Sequence, residues 1–380
     1  MPAPRCRLLF PHIAAAAATA ACIALSHRAV PAQTVEPAQQ VAAASALKAK
    51  LDGPFEKAFP KEGPAAAVIV KRGDETVYLR AFGQASLELG TPATTNNVFC
   101  IASVTKPFTA MAVMALIEDG KLALTDVAAT HLPELELDAR ITLEQLLAHT
   151  AGLPDFFDLP AYGEEHMHRE ISPQQLCLAA KGAALTHDPG AEHRYSNLHY
   201  ALLAEIVART SGTSWEEFLQ ARIFEPAGMT RSTYGRHDRI VPGLVSSYSR
   251  DEGAKWRRAQ ALSYTRGYGL GGLTTSVEDL GRWHDAWRKG RILKPATIAR
   301  MLEAPTLADG KQSSYALGIT VREMRGKQVA FHAGGIYGWR AMLVMIPEDE
   351  VMVAVLTARD ADDEPTSRLA GGAAQLVAGR

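Results

Sequence analysis

Cysteine is scarce in this 380-residue chain: four residues, Cys6, Cys22, Cys100 and Cys177, make no disulfide framework. A surplus of either charge is also missing, with Lys plus Arg at 40 against Asp plus Glu at 41. That balance gives no electrostatic footprint for nucleic acid or for an anionic membrane surface. The Ala-rich apolar run Ile13 to Leu25 is too short for a comfortable membrane span. No Gly-x-Ser-x-Gly elbow occurs, which argues against an α/β-hydrolase. No internal repeat or low-complexity linker divides the chain. What remains is an ordinary globular composition, 47% hydrophobic and 21% charged, long enough for one large domain or two smaller ones and suited to a small-molecule or peptide ligand.

The first residues read as a bacterial export signal: Arg5 and Arg7, then Ile13 to Leu25, then small residues ending in Val30-Pro31-Ala32. Residues 1–32 are expected to be the signal peptide, and the mature protein periplasmic or secreted. Membrane attachment would require lipidation at Cys22. Cleavage removes Cys6 and Cys22 and leaves Cys100 and Cys177, expected as free, buried thiols. Residues 33–54 form a tether or first helix, and 55–380 the domain proper, with a helical subdomain over about 121–260.

Along that domain, Ala65 to Lys71 and Thr76 to Ala85 are apolar runs around a turn at Arg72-Gly73-Asp74-Glu75, the pattern of a β-hairpin. Thr142-Leu-Glu-Gln145, Ser172-Pro-Gln-Gln175 and Ser214-Trp-Glu-Glu217 are capping-box patterns, each opening a short helix. Tyr195-Ser196-Asn197 precedes a helical face at Leu202, Ile206 and Val207 that stops at Gly212, making Asn197 an N-cap candidate. Gly267 to Gly272 reads as a flexible run, and Ser276 caps a further helix ending near Gly290. Tyr315 to Glu323, Lys327 to His332 and Arg340 to Ala358 read as strands, the last broken at Pro347, and Asp363 to Ala378 as a closing helix. Strands at both ends around a helical middle give an α/β fold of the α+β type. One antiparallel sheet is built from N- and C-terminal strands, flanked by helices, with an all-helical insertion.

The stretch Phe99 to Gly120 organises the rest. From Val104 its apolar residues recur at helical spacing and Gly120 supplies the stop, so it is a buried helix. Ser103 lies at its start, in the field of unpaired N–H groups, and Lys106 follows three residues later on the same face. Pro107 suits the first turn. A serine hydroxyl needs a neighbouring base to become a nucleophile, and an amine whose pKa burial has lowered can serve. The pattern is short, however, and recurs at Ser45-Ala-Leu-Lys48; an N-cap serine beside a solvated lysine is the bland alternative.

Three patterns stand in order: Ser103-x-x-Lys106, Tyr195-x-Asn197 and His332-Ala333-Gly334. With Leu146 to Pro154, Phe224 to Met229 and Gly269 to Leu273, they make the chain resemble, from about residue 55 to its end, the penicillin-recognising serine hydrolases. That group gathers class C β-lactamases, D-alanyl-D-alanine carboxypeptidases, D-aminopeptidases and related esterases. The resemblance implies a β-lactamase/transpeptidase-like fold, no cofactor, and an acyl-enzyme on Ser103. Lys106 and Tyr195, the latter as a phenolate favoured by nearby cations, would carry protons, with the identity of the base left open. It implies an oxyanion hole from the amides of Ser103 and Gly335, and substrate contacts from Asn197, His332 and Gly334, with Asn197 also orienting Lys106. His332 would face the cleft and help the proton network or, when charged, hold a substrate carboxylate.

The third motif departs from the Lys-Thr-Gly or His-Thr-Gly of many such proteins, because Ala333 supplies no hydroxyl. The doubt this raises concerns substrate: D-amino-acid peptides of the cell wall, small esters or β-lactams. It also keeps a rival reading, a slow peptidoglycan or penicillin-binding sensor of the same fold. Phe156, Phe157, Tyr162 and Trp339 are candidates for an apolar lip to the cleft. His166 and His168 beside Glu164 and Glu165 are read as a solvated cluster, with no metal assigned.

Overall fold

The computed structural model describes residues 37–250, 255–260, 263–360 and 365–378; the export signal expected over 1–32 lies outside them. Residues 43–380 form one compact unit, and of the other, 1–42, only the start of a helix at 37–42 is described. That helix, α1 (Pro37–Ala58), leads into the hairpin β1 (Ala66–Arg72) and β2 (Glu75–Phe82), whose turn falls on Gly73 and Asp74. Then come α2 (Thr105–Glu118), α3 (Leu143–Leu147), α4 (Asn197–Ser211) and α5 (Val277–Arg288). The chain closes with β3 (Thr320–Met324), β4 (Lys327–Ile336), β5 (Trp339–Ile346), β6 (Val351–Thr357) and α6 (Thr366–Ala378).

The six strands form one sheet in the order β3-β4-β5-β6-β1-β2, every pair antiparallel. Ile69 pairs with Ala354 and Ala354 with Leu343, so the two ends of the chain meet in the sheet's middle. Both faces are covered, which is why β1 and β6 are almost continuously apolar rather than alternating. On one face Leu51, Phe55, Val68, Val353 and Leu369 join α1 and α6 to the sheet. On the other, Ile69, Ala354 and Leu356 share a core with α2, α4 and α5.

Helix α2 is buried from Thr105 through Leu116 and apolar on all sides, as befits a helix enclosed by others. The three capping boxes form as the sequence suggests, at Thr142, Ser172 and Ser214, each with reciprocal bonds to the third helical residue. The middle of the chain is not purely helical. Short strands at Tyr248–Arg250 and Trp256–Arg258 lie within it, and Thr233–Tyr234 pairs with Leu273–Thr275, itself paired with Phe99–Cys100.

Nor is the glycine run flexible. Residues 267–272 are all buried, and a Cβ at Gly269, whose φ is +74°, would stand 2.4 Å from the Tyr200 carbonyl oxygen. A Cβ at Gly267 would meet the backbone of Gly272 at 2.6 Å. Glycine is needed there for close packing. Cys100 and Cys177 are buried free thiols, each donating to a backbone carbonyl, of Gly271 and Ala201 respectively. Burial raises the pKa of Cys100 to about 12.

Candidate active site

Ser103 sits in a one-turn 3-10 helix, Ala102–Val104, between the strand Phe99–Cys100 and α2. Ala102, just before it, has φ +45°, a left-handed conformation that a side-chain-bearing residue holds only when its surroundings impose it. One source of that constraint is β4, which presses on this turn: a Cβ at Gly334 would lie 2.3 Å from the Ile101 carbonyl oxygen and 3.2 Å from the Ser103 nitrogen. Only a glycine lets the strand approach so closely.

Lys106, in the first turn of α2, is wholly buried. Its Nζ lies 3.2 Å from Ser103 Oγ, 2.9 Å from Asn197 Oδ1 and 3.0 Å from the Leu270 carbonyl oxygen. The tight glycine run thus delivers one partner and the start of α4 another. Burial lowers the amine's pKa to about 7, against a smaller upward pull from Asp155. By contrast Ser45 and Lys48 are exposed on α1, where Lys48 pairs with Asp52 one turn on.

Tyr195 Oη donates to Ser103 Oγ at 3.0 Å. Although 37% of the residue is exposed, its hydroxyl is turned onto Ser103, and burial raises the phenol's pKa, outweighing the Ser103 hydrogen bond. The expected phenolate is therefore not favoured. The nearby amine is itself poised to be neutral, so no lasting cation holds the phenol ionised. The Lys106 Nζ lies 4.8 Å from the centre of the Tyr195 ring.

Asn197 is not the N-cap of α4; Ser196 occupies that position, and its hydroxyl donates to the Pro154 carbonyl. The Asn197 carboxamide is spent on the site instead, accepting from Lys106 and donating through Nδ2 to Asp155 Oδ2 at 2.8 Å. The same carboxylate oxygen accepts the Asn197 backbone N–H at 3.0 Å, capping the helix from outside its own segment. Asp155 escapes a reading of the sequence. Its one local signal is an Asx-type bond to the Phe157 N–H, and its important partner lies 42 residues away.

His332 is placed beside this group but not as a cation in the cleft. It is only 5% exposed; its Nδ1–H donates to the Ala333 carbonyl at 2.7 Å, and Nε2 accepts from the Tyr315 hydroxyl at 2.9 Å. Because a carbonyl can only accept, Nδ1 carries a hydrogen, and a ring that burial keeps neutral then accepts at Nε2. Burial, helped by Lys106, lowers its pKa to about 3. Ala333 and Gly335 are exposed on β4, whose edge is open there because β3 pairs only as far as Phe331. Of the aromatic residues expected at the lip, Phe156 and Trp339 are core residues, Trp339 packing edge-on against Phe99. Phe157 and Tyr162 are half-buried beside Phe156.

The arrangement holds a serine hydroxyl between an amine and a phenol, the nucleophile and proton carriers that acyl transfer needs. Comparison with known proteins agrees. The sequence model of the Beta-lactamase family matches residues 55–378. The chain is 27% identical to a D-aminopeptidase of Gluconobacter oxydans over 317 residues, 83% of this chain but 58% of that protein. It is 26% identical to penicillin-binding protein 4* of Bacillus subtilis over 344 residues, 86% of this chain and 75% of the other. Among solved structures, an octameric penicillin-binding protein homologue from Pyrococcus abyssi superposes with a TM-score of 0.75 at 25% identity, covering 87% of this chain and 77% of that one.

Proposed function

Because this chain belongs to the beta-lactamase family, we propose that it is a serine hydrolase in which Ser103 attacks a substrate carbonyl and the resulting acyl-enzyme is released to water. The observation that carries this reading is the buried Lys106 amine 3.2 Å from Ser103 Oγ, with a pKa of about 7. As a free base it accepts the Ser103 proton while Oγ bonds to the carbonyl carbon. The backbone N–H groups of Ser103 and Gly335 receive the developing oxyanion. Tyr195, protonated and already donating to Ser103 Oγ, gives its proton to the departing amine or alkoxide as the bond to carbon breaks. The proton on Lys106 then returns the phenol to its resting state. Water enters by the same steps reversed, freeing the acid and Ser103.

The substrate class follows from β4. A neutral His332 and a methyl side chain at Ala333 offer neither cation nor hydroxyl to a carboxylate. Amides and peptides of D-amino acids, and small esters, therefore suit the cleft better than β-lactams or peptides that present a terminal carboxylate there. The D-aminopeptidase relative supports the first of these classes. We also place the protein outside the cytoplasm, as a periplasmic or secreted enzyme acting on cell-wall peptides or their fragments. Arg5, Arg7 and the run to Ala32 support that placement, and amino-terminal sequencing of the mature protein should begin at Gln33.

A substrate panel tests the reading: a p-nitrophenyl ester, a D-amino-acid amide, acyl-D-Ala-D-Ala and nitrocefin. Many turnovers are expected on the first two and slower ones on the last two, all lost in Ser103→Ala. A stoichiometric burst with no further turnover on any of them would replace the hydrolase with the slow-sensor reading.

A further inference from the structure

The bond between Asn197 and Lys106 has a direction, and that direction decides what Lys106 does. A neutral amine has two hydrogens and one lone pair. Its three neighbours are Ser103 Oγ, Asn197 Oδ1 and the Leu270 carbonyl oxygen. The carbonyl only accepts, so it takes one hydrogen. If Asn197 presents its oxygen, it takes the second, and the lone pair is left for the Ser103 hydroxyl. If the carboxamide turns over, its NH2 group competes for the lone pair, and Ser103 loses its base.

An isolated Asn side chain has little reason to prefer either orientation. Here Asp155 supplies one, because its Oδ2 accepts both the Asn197 backbone N–H at 3.0 Å and Nδ2–H at 2.8 Å. A carboxylate has no hydrogen to give, so it cannot face the amide oxygen without repulsion. Its other oxygen, Oδ1, is occupied by the Phe157 N–H at 3.1 Å, which holds the carboxylate itself in place. We propose that Asp155 is a positioning residue which, by holding the Asn197 carboxamide with its oxygen toward Lys106, aims the Lys106 lone pair at Ser103.

This inference rests on the acyl-transfer reading above. The titratable groups around the amine are Asp155, Tyr195, Tyr200, His149, His199 and His332. Burial holds the three histidines neutral at ordinary pH, and burial likewise keeps both phenols protonated. Asp155 is thus the charged neighbour, and removing its charge should lower the pKa of Lys106.

The test is the rate at which a small fluorophosphonate modifies Ser103, followed from about pH 5 to pH 10 in wild type, Asp155→Ala and Asp155→Asn. Phosphonylation reads the nucleophile directly and needs no substrate contact from Asn197. In D155A the plateau rate should fall at least tenfold while the acidic limb moves to lower pH. In D155N the side-chain oxygen is drawn toward Asn197, which offers two donors against one from Phe157. Its plateau should stay within about threefold of wild type, with the limb lowered as in D155A. A D155A plateau equal to wild type overturns the proposal, as does a D155N plateau that falls tenfold or more. If D155A does not fold, Asp155→Ser takes its place: its hydroxyl can keep the bond to the Phe157 N–H but supplies no second oxygen to Asn197, so the same tenfold fall is expected and a wild-type plateau overturns the proposal. Failure of wild-type Ser103 to react at all would instead overturn the hydrolase reading.

Discussion

Lys106 is an expensive residue to bury, and the site uses that cost. An amine taken wholly out of water loses the hydration that stabilises its charge, so it sheds its proton near neutrality instead of at its ordinary 10.5. The pH profile of ester hydrolysis should therefore rise through an acidic limb centred near pH 7. A limb above about pH 9 would mean that the amine keeps its proton and is not the base. Stability carries the same signature. Between about pH 7 and 10.5 the unfolded chain holds a proton on Lys106 that the folded protein does not. The folded state therefore gains stability as pH rises through that window, by about 1.4 kcal/mol per pH unit. Lys106→Met removes this dependence, so urea melts should show the variant's advantage shrinking by that amount for each unit of pH; a constant difference would contradict the shift. The residue types and spacing of Ser103 and Lys106 were visible in the sequence because they lie one helical turn apart. The charge state of His332 was not, because it depends on Tyr315 and on burial, neither of which leaves a local trace.

At the scale of elements, boundaries written in local chemistry were legible and those written by distant partners were not. Thr142, Ser172 and Ser214 announce their helices because box and cap lie within four residues. Asn197 looked like another such cap, yet α4 is capped by Asp155 from a different loop, which frees the Asn197 side chain for Lys106. The glycine run looked loose because glycine marks both flexibility and tight packing, and only the neighbours distinguish them. Two substitutions separate these roles. Thr142→Ala should cost about 1 kcal/mol in urea unfolding while leaving turnover unchanged. Gly269→Ala places a Cβ 2.4 Å from the Tyr200 carbonyl oxygen at a φ of +74°. It should cost about 1–3 kcal/mol and also slow turnover, because Leu270 next to it holds Lys106. Full activity in Gly269→Ala would show that the Leu270 carbonyl is dispensable.

For the molecule as a whole, the sheet joins the two ends of the chain and brings β4 against the turn that carries Ser103. Apolar runs and the hairpins at both ends made this sheet readable, but the seam between β4 and Ile101-Ala102-Ser103 joins segments more than 200 residues apart, and only the family resemblance, which pairs the Ser103 and Gly335 amides, pointed to it. Gly334→Ala should open the seam, since its Cβ would meet the Ile101 carbonyl at 2.3 Å. Acylation should slow by about 10²–10³-fold, the loss expected when an oxyanion donor is displaced. Circular dichroism should remain that of the native fold, and an unchanged acylation rate would remove β4 from the site.

The account turns on a covalent bond to one oxygen, so the most direct measurement is mass spectrometry of the purified protein trapped during ester turnover, followed by peptide mapping. The prediction is a single added acyl group on the peptide that contains Ser103, disappearing as turnover finishes and absent from Ser103→Ala. An acyl group on another residue, or continued turnover by Ser103→Ala, would contradict it.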